Sequence, residues 1–227
     1  MVQDAILGMT AFLRKIVNGA KSVPTTGIIG LIVLWFSIEE RAKIVFLFLG
    51  AIFTTYYDVE SGQVPYYFAA FAIGNLLGPL TLGRLFDTVG RKPMIAGTYL
   101  TAAAGAGVLA VLVAQQSISE TGFLVFICAI FFVASAGASA AYLTVSEIFP
   151  METRALAIAF FFAIGTGIGG IVGPLLFGYL IESGETGQLA LGFAIGAVVM
   201  AVGGIAAALF GVKAEGKSLE DIARPLN

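Results

Sequence analysis

There is no histidine anywhere in this sequence, and there is one cysteine, Cys128. Without histidine there is no imidazole base, no Ser-His or Cys-His pair and no His-built metal site. One thiol makes neither a disulfide framework nor a multi-cysteine zinc site, so no metal or other cofactor is expected. Charge is scarce as well: 11% of the 227 residues are Asp, Glu, Lys or Arg, against roughly a quarter in a soluble domain. A net charge of -2 leaves no basic footprint, and nucleic acid is not an expected partner. What the chain has instead is apolar surface, with 59% hydrophobic residues and a mean hydropathy of +0.98. No core of a chain this size hides that much, so the lipid bilayer is the solvent. Cys128, inside the apolar run 123–133, reads as a small buried hydrophobe.

A bilayer core about 30 Å thick needs about 20 apolar residues per helix. Runs 64–83, 94–115, 123–145 and 189–212 meet that length, and run 155–181 exceeds it without a charge, which implies tilt or a kink at Pro174. Run 44–57 is shorter and spans only with thinning or borrowed flanks. The expected fold is thus an all-α membrane protein with six transmembrane helices over residues 44–212 and a tail at 213–227. Residues 1–43 form a cytoplasmic or interfacial segment. There Ile6, Leu13, Ile16, Val17 and Ala20 recur at helical spacing opposite Asp4, Arg14, Lys15, Asn18 and Lys21, which predicts an amphipathic helix. The apolar run 27–38 is too short to cross and reads as re-entrant or interfacial, with a seventh span as the alternative.

With six spans, all twelve Lys and Arg fall on one side: Arg14, Lys15, Lys21, Arg41 and Lys43, then Arg84, Arg91 and Lys92, then Arg154, then Lys213, Lys217 and Arg224. The opposite loops carry Asp58, Glu60, Glu120, Glu182 and Glu185. The positive-inside rule then predicts a multi-pass protein of the cell membrane with both termini cytoplasmic. A seventh span would move three of the basic residues outside.

The second and fifth spans share Phe-Ala-Ile-Gly followed by Gly-Pro-Leu, at 71–74 with 78–80 and at 162–165 with 173–175. Equivalent positions in two three-helix units predict a 3+3 inverted repeat, although glycine and proline are common enough in membrane helices for coincidence. Gly165, Gly169 and Gly173 share one face of the fifth span and predict a close helix crossing. Thr54, Tyr56 and Tyr57 in the first span and Ser135, Ser139 and Tyr142 in the fourth suit either a polar cavity or interhelical hydrogen bonds. No carboxylate pair, nucleophile with a base, or metal set lies at membrane depth, so an enzyme is not expected.

Two charged motifs occupy the basic side. In Gly83-Arg84-Leu85-Phe86-Asp87-Thr88-Val89-Gly90-Arg91-Lys92-Pro93 the charges sit against the helix dipoles, with Asp87 near a helix C-terminus and Arg91 and Lys92 before a helix N-terminus. A tertiary partner must compensate. Gly90 suits a left-handed position after a helix and Pro93 the first turn of the next. In the second motif, Glu147 and Arg154 bracket Pro150, and together with Asp87 and Arg91 they can form an ion-paired latch between two conformations.

The first motif resembles the G-x-x-x-D-x-x-G-R-K signature of the major facilitator superfamily. Glu147 to Arg154 resembles the E-x-x-P-x-x-x-R element of its sugar-porter-like branch, and Gly216-Lys217-Ser218-Leu219-Glu220 is similar to a motif after that branch's last helix. The resemblance covers residues 44–225 and implies the second six-helix half of a twelve-helix transporter. It further implies that Asp87 faces the N-terminus of the fifth helix and that Arg91, Glu147 and Arg154 complete a network stabilising the outward-facing state. The expected function is transport of a small organic solute by alternating access, with a second six-helix half or a homo-oligomer as partner. The alternative is a truncated, non-transporting interaction protein that pairs with another helical half. The Gln pair and Asn that contact sugar in the family are absent, and no carboxylate for proton coupling lies mid-membrane in the five clear spans.

Overall fold

A computed structural model describes residues 49–149 and 151–211, except for the side chains of residues 142, 145–148, 151, 152, 161, 162 and 164–170. The expected amphipathic segment, the run 27–38, Pro150 and the tail lie outside the described residues. Residues 49–56 are helical and end at Tyr57. Five helices follow: α1 (Val64–Thr88), α2 (Arg91–Ala114), α3 (Glu120–Ile148), α4 (Met151–Glu182) and α5 (Thr186–Phe210). Each takes up one of the long apolar runs and extends by up to a few residues into the polar flank. The reason is local. Backbone groups in a bilayer have no water to bond, so the helix continues until the chain reaches the interface.

Among the described residues, four stretches are long and apolar enough to cross a membrane by length and composition: α1, α2, residues 120–141 of α3, and α5. α4 has 32 residues with Pro174 inside it, and α1 has Pro79 inside it. The ends are specified by small features. Ser119 caps α3 by accepting the Gly122 N–H at 3.2 Å, and Glu120 stands in the first turn, where the dipole favours an anion.

α2 packs along the whole of α5, antiparallel, from Lys92 against Leu209 at one end to Gln116 against Thr186 at the other. α1 lies beside α3 in the same direction, and α3 also packs on α2. The larger core cluster gathers Phe53, Phe71, Leu109, Phe123, Ile127 and Leu189, and a smaller one gathers Phe86, Ile95, Tyr99 and Ala207. The ends of the bundle differ in charge. Arg84, Arg91, Lys92 and Arg154 mark a basic end, whereas Asp58, Glu60, Glu120, Glu182 and Glu185 mark an acidic end where no described residue is basic.

α1 is lopsided: Phe71, Gly78 and Phe86 are buried in one narrow stripe, while Ile73, Leu76, Leu77, Leu80 and Leu85 are exposed. In water that face would be a liability; in a membrane it meets lipid or another helix at no hydrophobic cost.

Candidate functional site

At the basic end, α1 stops at Val89 and the chain turns through Gly90, whose φ of 110° and ψ of 144° belong to a region that a Cβ makes costly. This buried corner puts Arg91 and Lys92 in the first turn of α2, where the helix dipole disfavours them. The fold answers both. Lys92 Nζ donates to the Leu209 carbonyl at 3.4 Å, at the C-terminal end of α5, where a cation is favoured. Arg91 turns back across the corner to Asp87, 3.7 Å away. The guanidinium side chain is 14% exposed and the carboxylate 73% exposed, so the aspartate remains largely in solvent. Arg154 stands in the first turn of α4, half-buried, with a buried Nε that makes no hydrogen bond among the described residues. The Glu147 side chain lies outside the described residues. Of the expected network, the structure therefore brings Asp87 and Arg91 together. Gly83 faces open space, where a Cβ would meet nothing.

Half-way along the bundle a second polar arrangement follows from Pro79. A proline inside a helix removes the N–H that would bond the carbonyl four residues earlier. That carbonyl is Asn75's, and it accepts the Ser135 hydroxyl of α3 at 2.9 Å. The approach is possible because Gly78 lies against α3: a Cβ there would overlap the Phe132 carbonyl oxygen and stand 2.6 Å from Ser135 Oγ. Ser135 is thus engaged in an interhelical hydrogen bond. The Thr54 hydroxyl bonds its own helix at the Gly50 and Ala51 carbonyls, 3.1 and 3.2 Å away. Ser139 is exposed on α3, as is Leu143 one turn on. The Tyr142 side chain is not described, and neither are the surroundings of Gly165 and Gly169; Gly173 is buried.

At the acidic end, Tyr56 and Tyr57 line a cavity of about 270 Å³ with Val113, Gln116, Ile118, Thr186 and Leu189. Tyr56 Oη donates to the Ile181 carbonyl at 3.4 Å, near the C-terminus of α4, and Gln116 Nε2 donates to Thr186 Oγ1 at 3.0 Å. The Tyr57 ring is backed by Phe123 and Phe53, with centroids 5.2 and 6.2 Å away. The loops beside the cavity turn sharply at two non-glycine residues in the left-handed region, Asp58 (φ 52°) and Gln116 (φ 51°). Close by, Tyr67 Oη donates to Glu120 Oε1 at 3.3 Å and ties α1 to α3.

Residues 41–226 match the family described as Major Facilitator Superfamily. The chain belongs to that superfamily. No curated protein and no solved structure matches it. As a Major Facilitator Superfamily chain with at least four helices able to cross a bilayer, it is a multi-pass membrane protein of a transporter family.

Within this superfamily member, the sequence marks Asp87, Arg91, Tyr56 and Tyr57, and the structure pairs the first two with each other. For Lys92 the sequence shows a cation at an unfavourable helix end, whereas its partner, the last turn of α5, is more than a hundred residues away in the chain. Pro79 does carry a signal, since its missing N–H announces an orphan carbonyl at Asn75. Nothing in the sequence names Ser135 as the donor. Gln116 and Thr186 join the cavity through a contact between α2 and α5 that no local pattern encodes.

Proposed function

We propose that this protein moves a small organic solute across the cell membrane by alternating access, as one six-helix half of a secondary transporter with its basic end in the cytoplasm. The observation that carries the reading is the superfamily match over residues 41–226. The gathering of Arg84, Arg91, Lys92 and Arg154 at one end of the bundle supports the orientation. Pro79 and Pro174, each inside a helix and each in the repeated Gly-Pro-Leu, support an inverted repeat of three helices and three. Glu147, Pro150 and Arg154 favour the sugar-porter-like branch within the superfamily. Exposed Ser139 and Leu143 on α3 and the apolar outer face of α1 are suited to a second bundle that completes the path.

Asp87, Arg91, Glu147 and Arg154 act here as the latch of the outward-facing state, released when the two halves rock. The ion pair Asp87–Arg91 supports this reading. The test is uptake of sugars, amino acids, organic acids and organic amines into proteoliposomes containing the chain alone, or the chain with a co-expressed six-helix half. Saturable uptake of one class, lost in Arg154→Gln, supports transport. Stable pairing of the two halves without uptake of any class would favour the non-transporting interaction protein.

A further inference from the structure

We infer that the cavity at the acidic end is a binding site for a small organic cation, a protonated or quaternary amine, separate from the solute path. It lies among the first helix, the end of α2, the loop after it and the start of α5, all within a single bundle, and it does not rest on the transport reading. Its volume of about 270 Å³ is enough for a compact ligand of a few carbons around one nitrogen.

The lining chooses the chemistry. Two phenol rings form one wall, and they are held in place: Tyr56 by its hydrogen bond to the end of α4, Tyr57 by the Phe53 and Phe123 rings behind it. Fixed aromatic faces attract a soft cation through their quadrupole without stripping it of more than a weakly held hydration shell. Asp58 follows Tyr57 and Glu185 precedes Thr186 in the chain, and both are exposed, so each flanks a lining residue and adds negative charge at this end. With no basic residue among the described ones at this end, the local potential is negative and repels anions. A hard metal ion is a poor fit, because the lining itself offers hydroxyls and an amide but no carboxylate. What remains is a positive ligand that favours aromatic faces over oxygen ligands.

The experiment uses the purified full chain in lipid nanodiscs, with choline, tetramethylammonium and the neutral choline isostere 3,3-dimethylbutan-1-ol as probes, read by equilibrium dialysis and melting temperature. Choline and tetramethylammonium are expected to bind saturably and raise the melting temperature, while the isostere does neither. The double variant Asp58→Asn, Glu185→Gln changes exposed groups outside the core and should weaken choline binding. Tyr57→Leu should weaken it roughly threefold to thirtyfold, the range of a partly desolvated cation–π contact. Should Tyr57→Leu fail to fold, the double variant decides alone. The assignment is overturned if the isostere binds as well as choline, if the double variant binds choline like the parent, or if the parent shows no saturable binding up to tens of millimolar. None of these outcomes depends on solute uptake, so the transport reading stands or falls separately.

Discussion

At the residue scale, the arrangement with the most physical content is Pro79, Asn75, Ser135 and Gly78. The proline leaves a carbonyl without a donor inside the membrane, the serine supplies one from the neighbouring helix, and the glycine lets the helices come close enough. Ser135→Ala should therefore cost about 0.6 to 2 kcal/mol, the range for an interhelical hydrogen bond in a membrane protein, and lower the melting temperature in detergent. Ser139→Ala, on an exposed position, should leave it unchanged. Pro79→Ala restores the missing N–H, so Ser135→Ala in that background should cost much less than alone; equal costs in both backgrounds would disconnect the serine from the proline. Gly78→Ala should be more damaging than either, by about 1 to 3 kcal/mol, because its Cβ overlaps α3 backbone that cannot step aside.

At the element scale, the question is how α2 tolerates two cations in its first turn. Lys92 lies across the end of α5 and offsets its exposed carbonyls, so one charge that destabilises its own helix stabilises another. Lys92→Gln should loosen the C-terminal turn of α5 by about 0.3 to 1 kcal/mol, seen as faster amide exchange at residues 207–210. The difference should shrink as salt rises, since the interaction is exposed. Arg84→Gln, on an exposed position of α1, is the control; if it speeds exchange in α5 equally, the effect is one of net charge and not of the Lys92 bond. The two glycine-lined contacts of α5, Gly192 against Phe177 of α4 and Gly204 against Leu100 of α2, show how this helix is held from both sides.

At the scale of the whole molecule, charge separation along the bundle makes the orientation testable. In a Cys128→Ala background, Ser61→Cys and Gly187→Cys at the acidic end should react with a membrane-impermeant thiol reagent from outside, and Thr88→Cys from inside alone. The reverse pattern would invert the proposed topology. Gating belongs at this scale too. In a complete transporter containing this half, Asp87→Asn removes the charge that Arg91 answers and should shift the conformational equilibrium by roughly 5- to 150-fold, the scale of a 1 to 3 kcal/mol coupling. Exposed Asp87 places the effect at the lower end of that range. Accessibility of a cysteine in Thr144→Cys should rise, and by much less than the sum of the single effects when Arg154→Gln is combined. Unchanged accessibility in a folded Asp87→Asn variant would reduce the motif to a topology signal.

Much of this protein could be read from its residues in order. Hydropathy alone placed the five helices from Val64 to Phe210, because a bilayer forces backbone groups to pair within the segment that crosses it. Gly90 marked the corner between α1 and α2, because a buried turn with positive φ needs a residue without a Cβ. The motif from Gly83 to Lys92 pointed to the family. Which helix faces which was not readable, since lipid is as apolar as leucine and every face of α1 looks equally suited to burial. So the close approach at Gly78 of α1 came from packing and not from a glycine pattern, while the surroundings of Gly165 and Gly169 in α4 lie outside the described residues. For the six hydroxyl residues the sequence leaves a cavity and interhelical hydrogen bonds open, and packing decides: Tyr56 and Tyr57 border a cavity, and Ser135 bonds a carbonyl on another helix. Hydrogen bonds and ion pairs between helices are settled by tertiary packing, because their energy depends on partners that sequence distance does not specify.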